Sequence, residues 1–303
     1  MNQKITPSTV LLLIIPPFLW AGNAVLGRVV SDLVPPVTLN FLRWAIAFVI
    51  LLPLGHSVFR RGSGLWANRK RYAVLGLLGI GLYNTLQYMA LHTSTPINVT
   101  LVGASMPVWM LVIGLLFFGS RVSGHQLAGA ALSMSGVLVV LSHGQWQQLL
   151  ALRFVAGDVF MIVATIIWAF YSWLLMHAGN EAEIRRNWAT LLLAQISFGA
   201  LWSGGLAAGE WALTDAQIHW SWGLAAALLY FAIGPAIVAF RCWGAGVRRV
   251  GPTVAGFFSN LTPLFAALMS SAFLGETPHA YHAVAFFFIV GGIVLSSRSR
   301  AVS

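Results

Sequence analysis

Two stretches lying 156 residues apart decide how this chain folds: 96-PINVTLVGASMPVWMLVIGLLFFGSRVSGHQLAGAALSMSGVLV-139 and 252-PTVAGFFSNLTPLFAALMSSAFLGETPHAYHAVAFFFIVGGIVL-295. They align without a gap. Pro96 meets Pro252, Pro107 meets Pro263, Phe117 meets Phe273, Gly119 meets Gly275 and Gly136 meets Gly292. Each stretch reads as two apolar segments parted by a short break, Gly119-Ser120-Arg121 in one and Gly275 to Pro278 in the other. About 20 predominantly apolar residues suffice to cross the hydrocarbon of a bilayer as a helix. The unit being repeated is therefore a set of membrane spans.

Working outward gives ten candidate spans: 9–29, 36–56, 72–92, 96–118, 123–142, 155–177, 187–208, 221–246, 251–274 and 279–297. Pro35-Pro36, the Arg60 to Arg71 loop, Pro96, Gly157-Asp158, Gly251-Pro252 and Thr277-Pro278 supply the separators. Composition agrees. Of 303 residues, 58% are hydrophobic and 8% charged, whereas a soluble domain of this size covers its surface with about 25% charged residues. The first span follows a short polar start and is too long for the apolar core of a signal peptide. The single cysteine, Cys242, excludes an intramolecular disulfide.

The net charge of +10 resembles that of a nucleic-acid binder, but its placement gives a different meaning. With a cytoplasmic N-terminus, the inner segments hold 13 of the 17 basic residues, among them Arg60, Arg61, Arg69, Lys70, Arg71, Arg185, Arg186, Arg248 and Arg249. The outer segments hold Arg28 and Arg153, and Arg43 and Arg241 fall inside spans. That asymmetry is the positive-inside signal. It puts both termini in the cytoplasm, makes the bilayer the partner and leaves no role for nucleic acid. Five spans per repeat is an odd number, so the second copy enters the membrane from the opposite side. The chain thus divides at 146/147 into inverted repeats 1–146 and 147–303, an arrangement common in secondary transporters, with the solute site near the midplane between the halves.

Each half also runs through a proline-centred helix, a Gly-Ser or Gly-Glu turn and a last helix with Gly-Val or Gly-Ile: Met106-Pro107, Gly119-Ser120 and Gly136-Val137, then Thr262-Pro263, Gly275-Glu276 and Gly292-Ile293. Over nearly the whole chain this pattern resembles the EamA-type exporters of the drug/metabolite transporter superfamily, most of all the bacterial aromatic amino-acid exporters. The resemblance implies an all-α fold of ten transmembrane helices in a bacterial inner membrane and a central cavity between helices 1–4 and 6–9. It also implies export of small metabolites, amino acids including aromatic ones, or a broader range of drugs. The acidic residue after the proline helix is Glu276 in the second half but Ser120 in the first, so the chain departs from a symmetric carboxylate pair.

Polar and aromatic groups inside spans are costly to leave against lipid and mark candidate solute contacts. Tyr83 and Gln87 share one face of helix 3; Asn98 and Trp109 fall on a stripe of helix 4; Trp20 and Asn23 lie in helix 1, Trp168 and Tyr171 in helix 6, and Asn260 in helix 9. Arg43, within helix 2, is a candidate partner for a solute carboxylate, whereas Arg241 lies near an end where its side chain can snorkel. Trp20, Trp109 and Trp168 are too central for an interfacial belt and suit stacking on a flat solute. The resemblance also implies that Gly129 and Ser133, with Gly291 and Gly292, allow close packing between helices 5 and 10. Pro107 and Pro263 are the candidate hinges.

No cofactor or metal is expected. The chain has no GxxxxGK[ST] loop, no HExxH and no GxSxG, which argues against a nucleotide-driven pump and against an intramembrane enzyme. Ten dissimilar helices in two inverted halves fit alternating access better than a ring of pore helices. All seven acids, from Asp32 to Glu276, fall in loops or at span ends, so flux down the solute gradient is expected in place of proton coupling. A monomer or weak homodimer completes the expectation.

Overall fold

The computed structural model describes residues 6–94, 96–151, 153–177, 182–274 and 279–298, with backbone alone at 96–98, 182–183 and 270–274. These residues are helical, with no strand among them. The long helices are α1 (Pro7–Val29), α2 (Pro36–Gly55), α3 (Arg69–Thr93), α4 in two pieces (Pro96–Gly103 and Met106–Phe118) and α5 (Gly124–Leu141). There follow α6 (Ala156–Met176), α7 (Trp188–Leu213), α8 (Trp222–Phe258), α9 (Leu261–Leu274) and α10 (Ala280–Ser297). Short helices at Trp146–Leu150 and Ala182–Arg186 sit between them.

Among the described residues, nine segments are long and apolar enough to cross a membrane. The difference from ten lies in α8 and α9. At 37 residues, α8 would run about 55 Å if straight, far more than the roughly 30 Å hydrocarbon core. It is not straight: Gly251 has φ 83° and ψ 161°, a left-handed position open to glycine without strain, and Pro252 starts a new helical direction. The stretch after Gly251 ends in a turn at Ser259–Asn260, and the 14-residue α9 continues from there.

The helix starts follow local chemistry. Thr6 caps α1 through its side chain, with Pro7 in the first turn. Ser123 and Gln126 form a capping box at α5. The α2 N-terminus is capped from another helix: Glu210 near the end of α7 accepts from Val37 N (3.1 Å), Thr38 N (2.8 Å) and Thr38 Oγ1 (2.7 Å). A carboxylate there satisfies orphan N–H groups and meets the positive end of the helix dipole.

Backbone irregularities recur at the 156-residue shift to within one residue. A π-helical turn occupies Leu77–Leu82 within α3 and another Ala232–Val238 within α8. Helix α4 breaks at Ala104–Ser105, and the α8/α9 pair breaks at Ser259–Asn260. The carbonyls of the first π turn are satisfied by side chains: Asn84 Nδ2 donates to Gly79 O (3.3 Å) and Asn40 Nδ2 to Ile80 O (2.9 Å).

Helices α5 and α10 lie along each other. A Cβ on Gly129 would come within 2.8 Å of Gly292 O, and one on Gly292 within 2.6 Å of Gly129 O. The backbones touch because neither position carries a side chain. The outward surface is apolar, with Leu116, Phe117, Leu201 and Phe287 exposed, as lipid-facing helices require.

Candidate functional site

A cavity of about 430 Å³ opens among α1, α3, α4, α6 and α9. Its wall uses the C-terminal halves of α1 (Trp20, Ala24, Val25, Arg28, Val29) and α3 (Tyr83, Gln87, Leu91). Val99 to Met106 of α4, Met161 near the start of α6, and Ser259, Thr262 and Pro263 at the second helix break complete it. The cavity thus lies toward the end of the bundle opposite the chain's N-terminus. That volume is typical of small-molecule pockets, as is its mostly apolar lining with a few polar groups.

The cavity ends at an aromatic partition centred on Trp168, which is 1% exposed. Trp20 meets Trp168 edge-on at 5.3 Å between centroids, Tyr83 lies against it at 4.6 Å, and Tyr171, Phe240 and Trp243 surround it at 4.9, 5.3 and 5.6 Å. Two of these pairs, with Trp20 and Phe240, are edge-on and the other three are tilted, all at centroid distances at which aromatic rings attract. Polar tips of neighbouring rings are satisfied: Tyr171 OH donates to Gln195 Oε1 (2.9 Å) and Trp243 Nε1 to Ser172 Oγ (3.1 Å). Trp168 Nε1 is buried without a partner.

Behind the cavity wall sits Arg43, with no solvent exposure. Its Nη1 donates to Tyr88 OH (3.0 Å), Asn84 Oδ1 (3.1 Å) and Asn23 Oδ1 (3.4 Å), and Tyr88 OH donates to the same Asn23 oxygen (2.9 Å). The guanidinium also lies 5.1 Å from the Trp44 ring. Its Nε and Nη2 have no partner.

Beyond the partition, arginines tie neighbouring segments together at the opposite end of the bundle. Arg71 donates to the carbonyls of Leu174 and His177, Arg185 to His177 O (3.3 Å), and Arg249 to Ser8 Oγ (3.2 Å) and Thr9 Oγ1 (3.4 Å).

The residues picked out in the sequence fall into distinct places. Trp20, Tyr83 and Gln87 line the cavity. Trp168 and Tyr171 form the partition beneath it. Asn23 and Arg43 make the buried network and do not line the cavity, so Arg43 is not its cation. Trp109 donates to Ser105 Oγ (3.1 Å) beside the α4 break, and Asn260 donates to Ser133 Oγ (2.9 Å), tying the second break to α5; neither lines the cavity. The Asn98 side chain lies outside the described residues, as does Glu276. Pro107 stands in the first turn of Met106–Phe118, and Pro263 is the third residue of α9. Mid-helix hydrogen-bond loss was expected there. Instead each helix has already broken before its proline, where a missing N–H costs nothing. Arg241 is exposed with its guanidinium 4.4 Å from the Trp188 ring, in keeping with a snorkelling side chain. Among the cavity residues that sequence reasoning missed are Arg28, counted as a loop charge, and Met106, Met161, Ser259 and Thr262.

With this geometry in place, comparison with known proteins is informative. The EamA-like transporter family matches residues 7–142 and again 155–298. The chain belongs to that family. It is a multi-pass membrane protein of a transporter family rather than one built around an enzyme's catalytic centre. A transporter of Archaeoglobus fulgidus, named as uncharacterized, is 25% identical over 99% of both chains. The aromatic amino acid exporter YddG of Ancylobacter novellus is 24% identical over 92% of this chain and 93% of its own. A solved crystal structure shares the fold, with a TM-score of 0.71 at 23% identity, covering 95% of this chain and 96% of that one.

Proposed function

We propose that this EamA-family protein is a secondary exporter of small metabolites, amino acids including aromatic ones, working by alternating access in a bacterial inner membrane. The observation that carries the reading is the aromatic partition. A cavity of solute size ends on Trp20 and Tyr83, which rest on Trp168, while arginine contacts tie the far end together. Flat solutes gain roughly 0.5–1.5 kcal/mol from each well-placed aromatic contact. The likeness to an aromatic amino acid exporter supports the same solute class, and helical spans belong to the inner membrane, since outer-membrane spans are barrels.

The architecture we propose counts ten crossings. Helix α8 up to Gly251 is one, and the stretch from Pro252 through α9 is the next, broken at its middle as α4 is. The paired π turns and paired breaks support two inverted repeats, 1–146 and 147–303, with both termini cytoplasmic as the basic residues require. In that orientation the cavity faces outward. The breaks at Ser105–Pro107 and Ser259–Pro263 then serve as hinges about which the halves rock. The remaining expectations, a monomer or weak homodimer and flux down the solute gradient without a cofactor, belong to the same reading.

The test is uptake of labelled tryptophan, phenylalanine, threonine and alanine by liposomes containing the purified protein. Saturable flux favouring the two aromatic solutes, and cut at least about tenfold by Trp168→Ala through loss of the partition, is expected. Equal flux of all four, indifferent to that substitution, would reassign the aromatic cluster to packing.

A further inference from the structure

Among the described residues, Arg28 is the one charged side chain lining the cavity. It stands two turns beyond Trp20 on α1 and is exposed. Its Nη1 reaches Leu91 O at 3.5 Å, a long contact, and the other donors of its five-donor fork have no protein partner among the described residues. Among the described residues no carboxylate lines the cavity. Asp158, one turn before Met161, is engaged by Ser94 Oγ and by Val155 N (2.8 Å). Glu210 caps α2. Asp32, four residues past Arg28, is exposed and outside the cavity lining, and Arg43 sits behind Asn23 and Tyr88. The cavity therefore has a positive charge at its mouth and no carboxylate in its described lining, within walls of low dielectric that strengthen any ion pair formed there.

Spacing specifies what fits. Trp20 and Arg28 are separated by about 12 Å of helix rise. Arg28 Nη1 contacts Leu91 O, two turns beyond Tyr83 on α3, so the guanidinium and the aromatic faces lie at opposite ends of the cavity. A planar fork at one end and aromatic faces at the other match a carboxylate joined by a short linker to a flat apolar group.

Resting on the reading of this cavity as the solute site, we propose that Arg28 binds the solute's carboxylate and orients its ring onto Trp20 and Tyr83. The protein then selects organic carboxylates, zwitterionic or simply anionic, and rejects the matching amines. Arg28 acts as a specificity residue by direct contact with the solute.

Purified full-length protein in liposomes is assayed for uptake of phenylalanine, 3-phenylpropanoate, phenethylamine and leucine, as wild type, Arg28→Gln and Arg28→Lys. The wild type is expected to carry phenylalanine and 3-phenylpropanoate and to reject phenethylamine. Arg28→Gln should raise KM for both carboxylates at least about tenfold, the loss of one charge-assisted hydrogen-bonded contact, while Arg28→Lys, which keeps the charge, loses less. Wild-type KM values in both variants would overturn the proposal and leave the transport reading standing. So would carriage of phenethylamine alongside phenylalanine. Uptake of leucine in preference to phenylalanine, lost in Arg28→Gln, would uphold Arg28 and overturn the aromatic preference. Uptake of none of the four would overturn both.

Discussion

A guanidinium with no solvent contact and no carboxylate beside it has to be held by neutral dipoles, and Asn23, Asn84 and Tyr88 supply them for Arg43. The three lie on α1 and α3, so the arginine ties α1, α2 and α3 together at one point. Removing it leaves their buried oxygens short of a donor, and each buried orphan costs about 1–3 kcal/mol. Part of that is regained because an intramembrane charge is itself expensive. The balance should still be unfavourable, because Asn84 Oδ1 and Tyr88 OH lose the donor they accept from, while Asn23 Oδ1 keeps Tyr88. Arg43→Ala is expected to lower the thermal midpoint of the detergent-purified protein by several degrees, with Asn23→Ala lowering it less. A midpoint equal to wild type in Arg43→Ala would mean that the network contributes nothing to stability. Arg28 differs from Arg43 in environment alone: one is open to the cavity, the other sealed behind its wall. Sequence position ranked them the other way round. A charge eight residues past a tryptophan on the same helix was the available signal, hidden because Arg28 lay at the edge of a span and was counted with the loops.

At the scale of elements, the contact between α5 and α10 is set by absence of side chains. Gly129→Val would drive a branched side chain into the Gly292 backbone, which already lies where the first Cβ would go. The clash cannot be relieved by rotating a flexible neighbour, since the obstacle is a carbonyl oxygen. Overpacking of this kind costs about 1–3 kcal/mol, occasionally more. Gly129→Val is therefore expected to reduce the folded yield and thermal midpoint, whereas Gly124→Ala, with nothing near its Cβ, should change neither. Indistinguishable midpoints for the two variants would show that the helices can separate freely. This contact was expected from the family resemblance, whereas the all-helical, many-span character was legible from hydrophobicity and spacing alone. The π turns and the placement of the helix breaks were not. A π turn needs partners for the carbonyls it displaces, and one of them, Asn40, comes from α2, remote in sequence. Likewise the prolines at 107 and 263 signalled a discontinuity, but not that the chain would turn before each of them. The partition around Trp168 was half legible: Trp20, Tyr83, Trp168 and Tyr171 were singled out, while Phe240 and Trp243 were not, since an apolar helix offers no periodic sign of which aromatics face inward.

At the scale of the whole molecule, the proposed orientation and the open cavity make a joint claim about access from the two sides of the membrane. Cys242 is the one cysteine, and it is buried, so Cys242→Ser gives a background in which single cysteines report position. Arg153, exposed between the Trp146–Leu150 helix and α6, and Arg61, exposed between α2 and α3, lie in segments assigned to opposite sides. Val25, 41% exposed, lines the cavity and is reachable only through its mouth. An impermeant maleimide added to intact cells whose outer membrane has been removed should label Arg153→Cys at once and Arg61→Cys only after lysis. The informative position is Val25→Cys. In the outward-facing state it should label from outside, and saturating solute should slow the reaction by filling the cavity. Labelling from the cytoplasmic side alone would reverse the assignment of the open end. If Arg61→Cys labels in intact cells and Arg153→Cys does not, the termini lie outside, and the basic residues of this chain fail to obey the asymmetry that otherwise orders its ends.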